Sequence, residues 1–268
     1  MNTRKGGHSL NLLFIGDIVG SSGRNAIRDR LPEIRKTHGI QLCIANAENA
    51  AAGLGLTPAV ARDLFDSGID ALTMGNHTWS KSELFTIIDD ESRIARPANV
   101  SERWPGRGYT VCTVGRNKLV VMNLLGRVGM PPADCPFDCA ATLVPELKQR
   151  YATNMLLIDF HAEATSEKQA FARYFDGKVS LVVGTHTHVQ TADECIFANG
   201  TGFITDVGMT GPVQSVIGME VSSSIKRFVD KLPVPYRVAD GPSCFSAVVA
   251  QIDENSGRTT MIRRIREF

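Results

Sequence analysis

The sequence predicts an α/β fold of two mixed β-sheets packed face to face, with helices on the outside. Three observations carry this expectation. Through the first two thirds of the chain, short apolar runs of strand length alternate with stretches of helical spacing. After about residue 195 the texture changes to short β-rich runs separated by turn residues, as antiparallel pairing requires. The 268 residues, 43% of them hydrophobic, suffice for a sizeable core and favour a single domain spanning 1–268, with 1–9 as a flexible N-terminal extension.

The elements follow in order. The run 10–15 ends in Gly16-Asp17, residues 26–37 carry helical spacing, and the run 42–45 ends in Asn46-Ala47-Glu48-Asn49, which makes a β-α-β opening. Thr57-Pro58 starts a helix through Phe65, since proline fits the first helical position and the threonine hydroxyl can accept from an unpaired amide. Residues 69–74 read as a strand ending at Gly75-Asn76-His77, and 81–88 as helical. Further strands are expected at 119–124, 155–160 and 179–183, with the Pro/Gly-rich stretches 96–108 and 129–136 as connecting loops. In the last third, 196–197, 202–205 and 246–252 read as strands, and Asn255-Ser256-Gly257 as a hairpin turn into 259–265.

Composition narrows function by exclusion. With 29 basic against 28 acidic side chains, no long-range field exists to hold duplex nucleic acid or an anionic membrane. No stretch approaches the roughly 18 apolar residues of a membrane span, and the run at 12–15 is too short for a signal peptide. The cysteines at 43, 112, 135, 139, 195 and 244 form no Cys-x-x-Cys pair and read as reduced thiols of a cytoplasmic protein. A dinucleotide fingerprint, a P-loop and a Gly-x-Ser-x-Gly elbow are all lacking, which disfavours nucleotide-cofactor enzymes, NTPases and serine hydrolases. Residues 205–212 read as a Gly/Pro turn, with a phosphate-cradling nest as the alternative.

The chemistry stands at the ends of the apolar runs: Asp17, then Glu48 and Asn49, then Asn76 and His77, then His161, then His186 and His188. Residues at the carboxyl ends of strands converge on one edge of an α/β sheet, and four of the six histidines lie at these positions. Singly, each has a plainer explanation. Asp17, Glu48 and Asn49 can cap helices, Asn76-His77 can make a turn, His161 can be a hydrogen-bonded core histidine, and His186 and His188 share a face only if extended. At five strand ends together, these explanations would have to coincide. Carboxylates, carboxamides and imidazoles without thiolate suit Mn²⁺, Fe or Zn²⁺. Eight candidates are too many for one ion; two ions sharing a carboxylate would use them, the arrangement that clamps both oxygens of a phosphoryl displacement.

Gly16-Asp17, Gly75-Asn76-His77 and the Gly-Thr-His-Thr-His of 184–188 resemble, in order, signature blocks of the calcineurin-like metallophosphoesterases. The fuller blocks 14–20, 47–51, 74–79, 159–168, 183–193 and 204–212 are similar to those of the bacterial YmdB-type branch, from about residue 10 onward. Two positions depart from the wider superfamily: Asp17-Ile18-Val19 stands where Asp-x-His is usual, and Glu48 where a bridging aspartate is usual. Both departures are expected within the branch. The resemblance implies a four-layer α-β-β-α sandwich and two metal ions, iron or manganese. It implies Asp17, Glu48, Asn49 and His188 around one ion, and Glu48, Asn76, His161 and His186 around the other. It further implies phosphodiesterase activity on 2′,3′-cyclic nucleotides or RNA-derived substrates; the site residues themselves suggest attack of a metal-activated hydroxide, with His77 the candidate to protonate the leaving alkoxide or steady the transition state. A metal-stabilised regulatory or nucleotide-sensing protein with little turnover, and a phosphomonoesterase, are the competing expectations. A homo-oligomer could form through antiparallel edges or residues 213–219.

Overall fold

A computed structural model describes residues 9–235 and 237–268. The expected N-terminal extension lies outside the described residues, apart from Ser9, which opens the first strand. In chain order the elements are β1 (Ser9–Ile15), β2 (Asp17–Ile18), α1 (Gly20–His38), β3 (Leu42–Asn46), α2 (Pro58–Asp66), β4 (Ala71–Thr73), a 3₁₀ turn (Ser82–Thr86), β5 (Ile94–Ala95), β6 (Tyr109–Val114) and β7 (Asn117–Leu125). They continue with α3 (Pro136–Tyr151), β8 (Leu156–His161), α4 (Thr165–Tyr174), β9 (Leu181–Thr185), β10 (Cys195–Ile196), β11 (Gly202–Ile204), β12 (Met209–Pro212), α5 (Val221–Asp230), β13 (Ser243–Asp253) and β14 (Thr259–Glu267). One sheet runs β2-β12-β13-β1-β3-β4-β5, with β14 also paired to β13; the other runs β10-β11-β9-β8-β7-β6.

Strand β1 shows why two sheets must stack. Its side chains alternate, so Leu10, Leu12 and Phe14 face one way and Leu13 and Ile15 the other, and both sets are apolar. The first set joins Leu119, Val121, Leu157, Leu181 and Val248 between the sheets; the second shares a core with Ile27 and Leu31 of α1 and Leu64 of α2. On the second sheet, Ile158 and Phe160 of β8 pack outward with Val144 and Leu147 of α3 and Phe171 of α4. The result is the expected sequence of layers: helices, sheet, sheet, helices.

Within each sheet the strands that matter for chemistry are parallel: β1, β3, β4 and β5 in the first, β7, β8, β9 and β11 in the second. Antiparallel pairing concentrates late in the chain, where the sequence predicts it, in β13 against β1 and β14 and in β10 against β11. The hairpin β6–β7 supplies another antiparallel pair.

Several boundaries differ from the sequence reading. Helix α1 starts at Gly20, six residues before the periodic stretch, because Gly23 lies against the Thr210 carbonyl where a Cβ would not fit. It ends at Gly39, whose φ of 58° lets its amide return to the Lys36 and Arg35 carbonyls. Residues 81–88 hold only the 3₁₀ turn. Helices α3 and α4 carry no clear sequence signal: Pro145 interrupts the pattern of α3, and the buried face of α4 includes Lys168. Residues 205–212 form a buried stretch and β12 rather than an open nest, with amides of Val207, Gly208 and Met209 bonded to the Gly184 carbonyl, Asp206 Oδ1 and the His188 carbonyl. All six cysteines are free thiols. No helix among the described residues is long and apolar enough to cross a membrane.

Lys168 reaches from α4 through the second sheet's edge to Asp206, Nζ to Oδ2 2.7 Å, with both side chains buried. Removing one partner of such a pair leaves an uncompensated buried charge. Lys168→Met should therefore lower the unfolding free energy by about 3–5 kcal/mol in urea titrations. The double variant Lys168→Met/Asp206→Asn should recover part of that loss.

Candidate metal centre

Parallel strands deliver their last residues to one edge of each sheet, and the two edges face each other. Asp17 follows β1, Glu48 and Asn49 follow β3, Asn76 and His77 follow β4, His161 ends β8, and His186 and His188 follow β9. Glu48 is the common member. Its Oε1 lies 3.0 Å from His161 Nε2 and 3.5 Å from His77 Nδ1, and its Oε2 accepts from the His77 backbone amide at 2.8 Å. His161 Nε2 is also 2.9 Å from Asn76 Oδ1 and 3.1 Å from His186 Nδ1. One donor atom from each of Glu48, His161 and His186 lies within 4.8 Å of the others. On the opposite flank, His188 Nε2 stands 3.8 Å from Asp17 Oδ1 and 3.1 Å from Asn49 Nδ2. All eight residues singled out in the sequence therefore meet in one place. Asn49 turns its amide nitrogen to His188 and its oxygen to His77 Nδ1 at 2.9 Å, so ligation through Oδ1 requires the amide to rotate by half a turn.

Each imidazole in the cluster is aimed by a partner on its far side, which fixes the nitrogen it presents. His161 Nδ1 donates to Thr185 Oγ1 (2.9 Å), and that hydroxyl donates to Asp159 Oδ1 (2.6 Å), leaving Nε2 for the site. His186 meets Glu163 through Nε2 (3.2 Å) and presents Nδ1. His188 Nδ1 donates to the Ile217 carbonyl (2.8 Å) and presents Nε2. His186 and His188 reach this arrangement with φ of 99° and 66°, left-handed backbone rather than the extended form the sequence required for a shared face. Between them, the Thr187 amide and hydroxyl both bond to Asp206 Oδ2, the carboxylate held by Lys168, which offsets that strain.

Electrostatics point to a missing positive charge. Burial pushes the Asp17 carboxyl up, and its Oδ1 is buried with no hydrogen-bond partner. Burial would also raise Glu48, yet His161 and His77 beside it hold it down at about 2. Burial would lower His161, but Glu48, with Asp17 and Asp159, raises it to about 9. His186 is pushed down to about 3 by burial and by His161. Asp159, buried between the sheets, sits at about 6 although His161, Thr185, Thr73 and Asn46 all favour its charge. Gly75 adds a steric sign: a Cβ there would enter the space between Glu48 Oε2 and His161 Nε2. An orphaned buried carboxylate oxygen, a cradle only glycine leaves open, and a donor set of oxygen and imidazole nitrogen all fit divalent transition cations.

A sequence profile for YmdB-like proteins matches residues 13–265. The chain belongs to the YmdB-like family. A 2′,3′-cyclic-nucleotide 2′-phosphodiesterase of Bacillus subtilis (strain 168) is 48% identical over 96% of this chain and 96% of its own length. A crystal structure of a phosphatase from Mycoplasma pneumoniae superposes with a TM-score of 0.90 at 33% identity, covering 97% of this chain and 94% of that one. A protein of Thermus thermophilus gives a TM-score of 0.89 at 39% identity, covering 96% of this chain and 99% of that one. The sandwich is thus the metallophosphoesterase fold of this family, matched over nearly the whole chain.

Of the carboxylates around the site histidines, Asp159 acts on His161 through Thr185, and Asp206 holds the turn between His186 and His188, whereas Asp193 bonds Thr191 and Thr205 instead. Asp159 is findable in sequence, since it sits two residues before His161 and so on the same strand face. Glu163, Ile217 and the role of Gly75 have no sequence signal. Gly75→Ala should weaken metal binding at least tenfold with the secondary structure retained, measured by metal titration and circular dichroism. In the metal-free protein, His161 contributes stability below its unfolded value of 6.5 and loses it as pH rises through about 9. Glu48 contributes above 4.5 and loses it as pH falls through about 2, so the pair supports the fold most between pH 4.5 and 6.5. Metal ligation needs the His161 Nε2 lone pair, so metal uptake at neutral pH should release a proton, read as a buffer-dependent enthalpy in calorimetry.

Proposed function

We propose that this chain is a dinuclear metal-dependent phosphodiesterase that hydrolyses 2′,3′-cyclic nucleotides. The observation that carries the reading is the convergence of eight polar residues, among them Asp17 with a buried oxygen that lacks a hydrogen-bond partner, with His77 at the solvent side. The activity printed for the Bacillus subtilis relative supports the same substrate class. Asp17, Glu48, Asn49 and His188 would hold one ion, and Glu48, Asn76, His161 and His186 the other. When bound, a pair of iron or manganese ions supplies Lewis-acid stabilisation of phosphoryl oxygens and a nucleophilic water at neutral pH.

The chain's own groups do the rest. His77 is about one-third exposed while Glu48 and His161 are buried, so substrate meets His77 first. Its Nδ1–H donates to Asn49 Oδ1, so as an imidazolium it would carry a second proton on Nε2 for the departing alkoxide and be left as the neutral ring. Thr185 and Asp159 keep His161 aimed, and Ile217 keeps His188 aimed, so the ligand nitrogens need no reorganisation when the site loads. Six free thiols support a cytoplasmic location. A homo-oligomer would find its surface on α5, where Val221, Ile225, Phe228 and Val229 stand exposed at helical spacing, with Leu232 exposed just beyond.

Purified protein should contain about two transition-metal ions per chain and turn over 2′,3′-cyclic AMP faster than a phosphomonoester. Metal without turnover of either ester would favour the sensing role, and faster monoester turnover the phosphomonoesterase. His77→Ala should retain both ions and lose roughly 10²–10⁴-fold in kcat. Asn76→Ala and His161→Ala should lose metal by elemental analysis. Loss of metal from His77→Ala would assign His77 to ligation instead.

A further inference from the structure

Beside the metal centre stands a cluster of aromatic rings that the hydrolytic reading does not use. Trp79 stacks on Phe85, ring centroids 5.2 Å apart, and meets Trp104 edge-on at 5.5 Å. Trp79 is half-buried against the core beneath, whereas Phe85 and Trp104 are 49% and 44% exposed. Three large rings sharing one partly open surface are more than the core requires, and contiguous exposed apolar surface marks a binding site.

The topology puts this cluster next to the reacting end of the site. A turn closed by the Ser80 amide on the His77 carbonyl (3.0 Å) carries Trp79, two residues beyond the proposed proton donor. Strands β3, β4 and β5 are parallel neighbours, so the segment leaving β5 lies one strand, about 5 Å, beyond the one that ends in Asn76 and His77. That segment begins with Arg96, whose buried guanidinium donates to the carbonyls of Pro97 (2.7 Å), Pro105 (3.1 Å) and Trp104 (3.3 Å). The Gly106 amide adds a bond to Asp89 Oδ1 at 2.6 Å. Trp104 is therefore presented on a braced loop, and its ring is held ready rather than ordered at binding.

We propose that Trp79, Phe85 and Trp104 form a stacking platform for a nucleobase of single-stranded RNA whose 2′,3′-cyclic phosphate end enters the metal centre. Every base offers a π-face, so stacking accepts a strand without reading its sequence. The loop's exposed Arg103 and Arg107 are set against Glu102, and the chain's net charge is only +1, so recognition rests on the rings more than on charge. The orientation of the strand rests on the phosphodiesterase reading; the platform does not.

The test is fluorescence anisotropy of a 5′-labelled oligouridylate ending in a 3′-phosphate with the metal-loaded protein, beside turnover of 2′,3′-cyclic UMP. Wild type should bind the oligomer at least tenfold more tightly than uridine 3′-phosphate binds in competition. Phe85→Ala/Trp104→Ala should lose about tenfold in oligomer affinity, as one lost stack implies, with turnover of the cyclic mononucleotide unchanged. Trp104→Phe, which keeps a ring, should restore most of the affinity lost in Trp104→Ala. Equal affinity of wild type and the double variant, no preference for the oligomer, or a Trp104→Phe variant as weak as Trp104→Ala would each overturn the platform. Oligomer binding that depends on the rings without turnover of any cyclic nucleotide would instead overturn the hydrolytic reading and leave the platform in place.

Discussion

Four carboxylates, those of Asp17, Glu48, Asp159 and Asp206, are buried at one edge of the space between the sheets, and the way each finds positive charge or hydrogen bonds organises the molecule. An ionised carboxylate in an apolar interior is expensive unless paired. Asp206 has Lys168, Glu48 has His161, and Asp159 has three hydrogen-bond donors from three strands. Asp17 Oδ1 has none. The imbalance falls where imidazoles and carboxamides crowd together, which is the electrostatic signature of a site built to be completed by cations. The apolar part of the inter-sheet core, from Leu10 to Val248, can then be read as the scaffold that carries this polar edge.

Geometry at that edge is held against local preference. His186 and His188 sit in left-handed backbone that side chains with a Cβ seldom adopt, and the Lys168–Asp206–Thr187 linkage supplies the opposing force from a different helix and a different loop. Gly184, immediately before them, passes so close to Thr205 and Lys168 that a Cβ would collide with both. The same economy of space recurs at Gly75, where the backbone itself forms one wall of the site. Stability and function are therefore coupled through α4. Its lysine faces inward at a core position because the turn between the two histidines needs it.

The part of this that sequence discloses follows from one rule, that parallel strands deliver their last residues to one edge. It places Asp17, Glu48, Asn49, Asn76, His77, His161, His186 and His188 together, because each directly follows or ends an apolar run of strand length. The helices are less legible where side chains serve two ends at once. Pro145 lies inside α3 and Lys168 inside the buried face of α4, so neither shows the usual contrast between faces, whereas α5 shows it with its apolar stripe turned outward. Supports such as Ile217 and Glu163 act through single atoms from distant loops, a relation that no spacing in the chain encodes. The left-handed turn at 186–188 is hidden for a related reason: its cause, Asp206, lies well beyond it in the chain, past two further strands.

The cluster is also one-sided, and that restricts how any phosphate can approach. Asp17, Glu48 and His161 form a closed wall, whereas His77 and His186 are partly open and Glu163 stands largely in solvent. Under the proposed function, a phosphodiester would enter from the side of His77 and His186, with its nonbridging oxygens toward the wall. Its leaving oxygen would then fall on the His77 side, where Nε2 carries no hydrogen bond among the described residues, or on the His186 side, where Nε2 is taken up by Glu163 and Nδ1 by the ligand cluster. Only the first arrangement can assist departure of an alkoxide. In a 2′,3′-cyclic phosphate both ester oxygens belong to one ribose, so the nucleoside would stay with the phosphate, and only chain beyond it would extend toward the braced loop after β5. His77, a partly open member of the cluster, and Trp79 of the aromatic group are two residues apart on the segment that follows β4, so the open side of the site and the rings share one stretch of backbone.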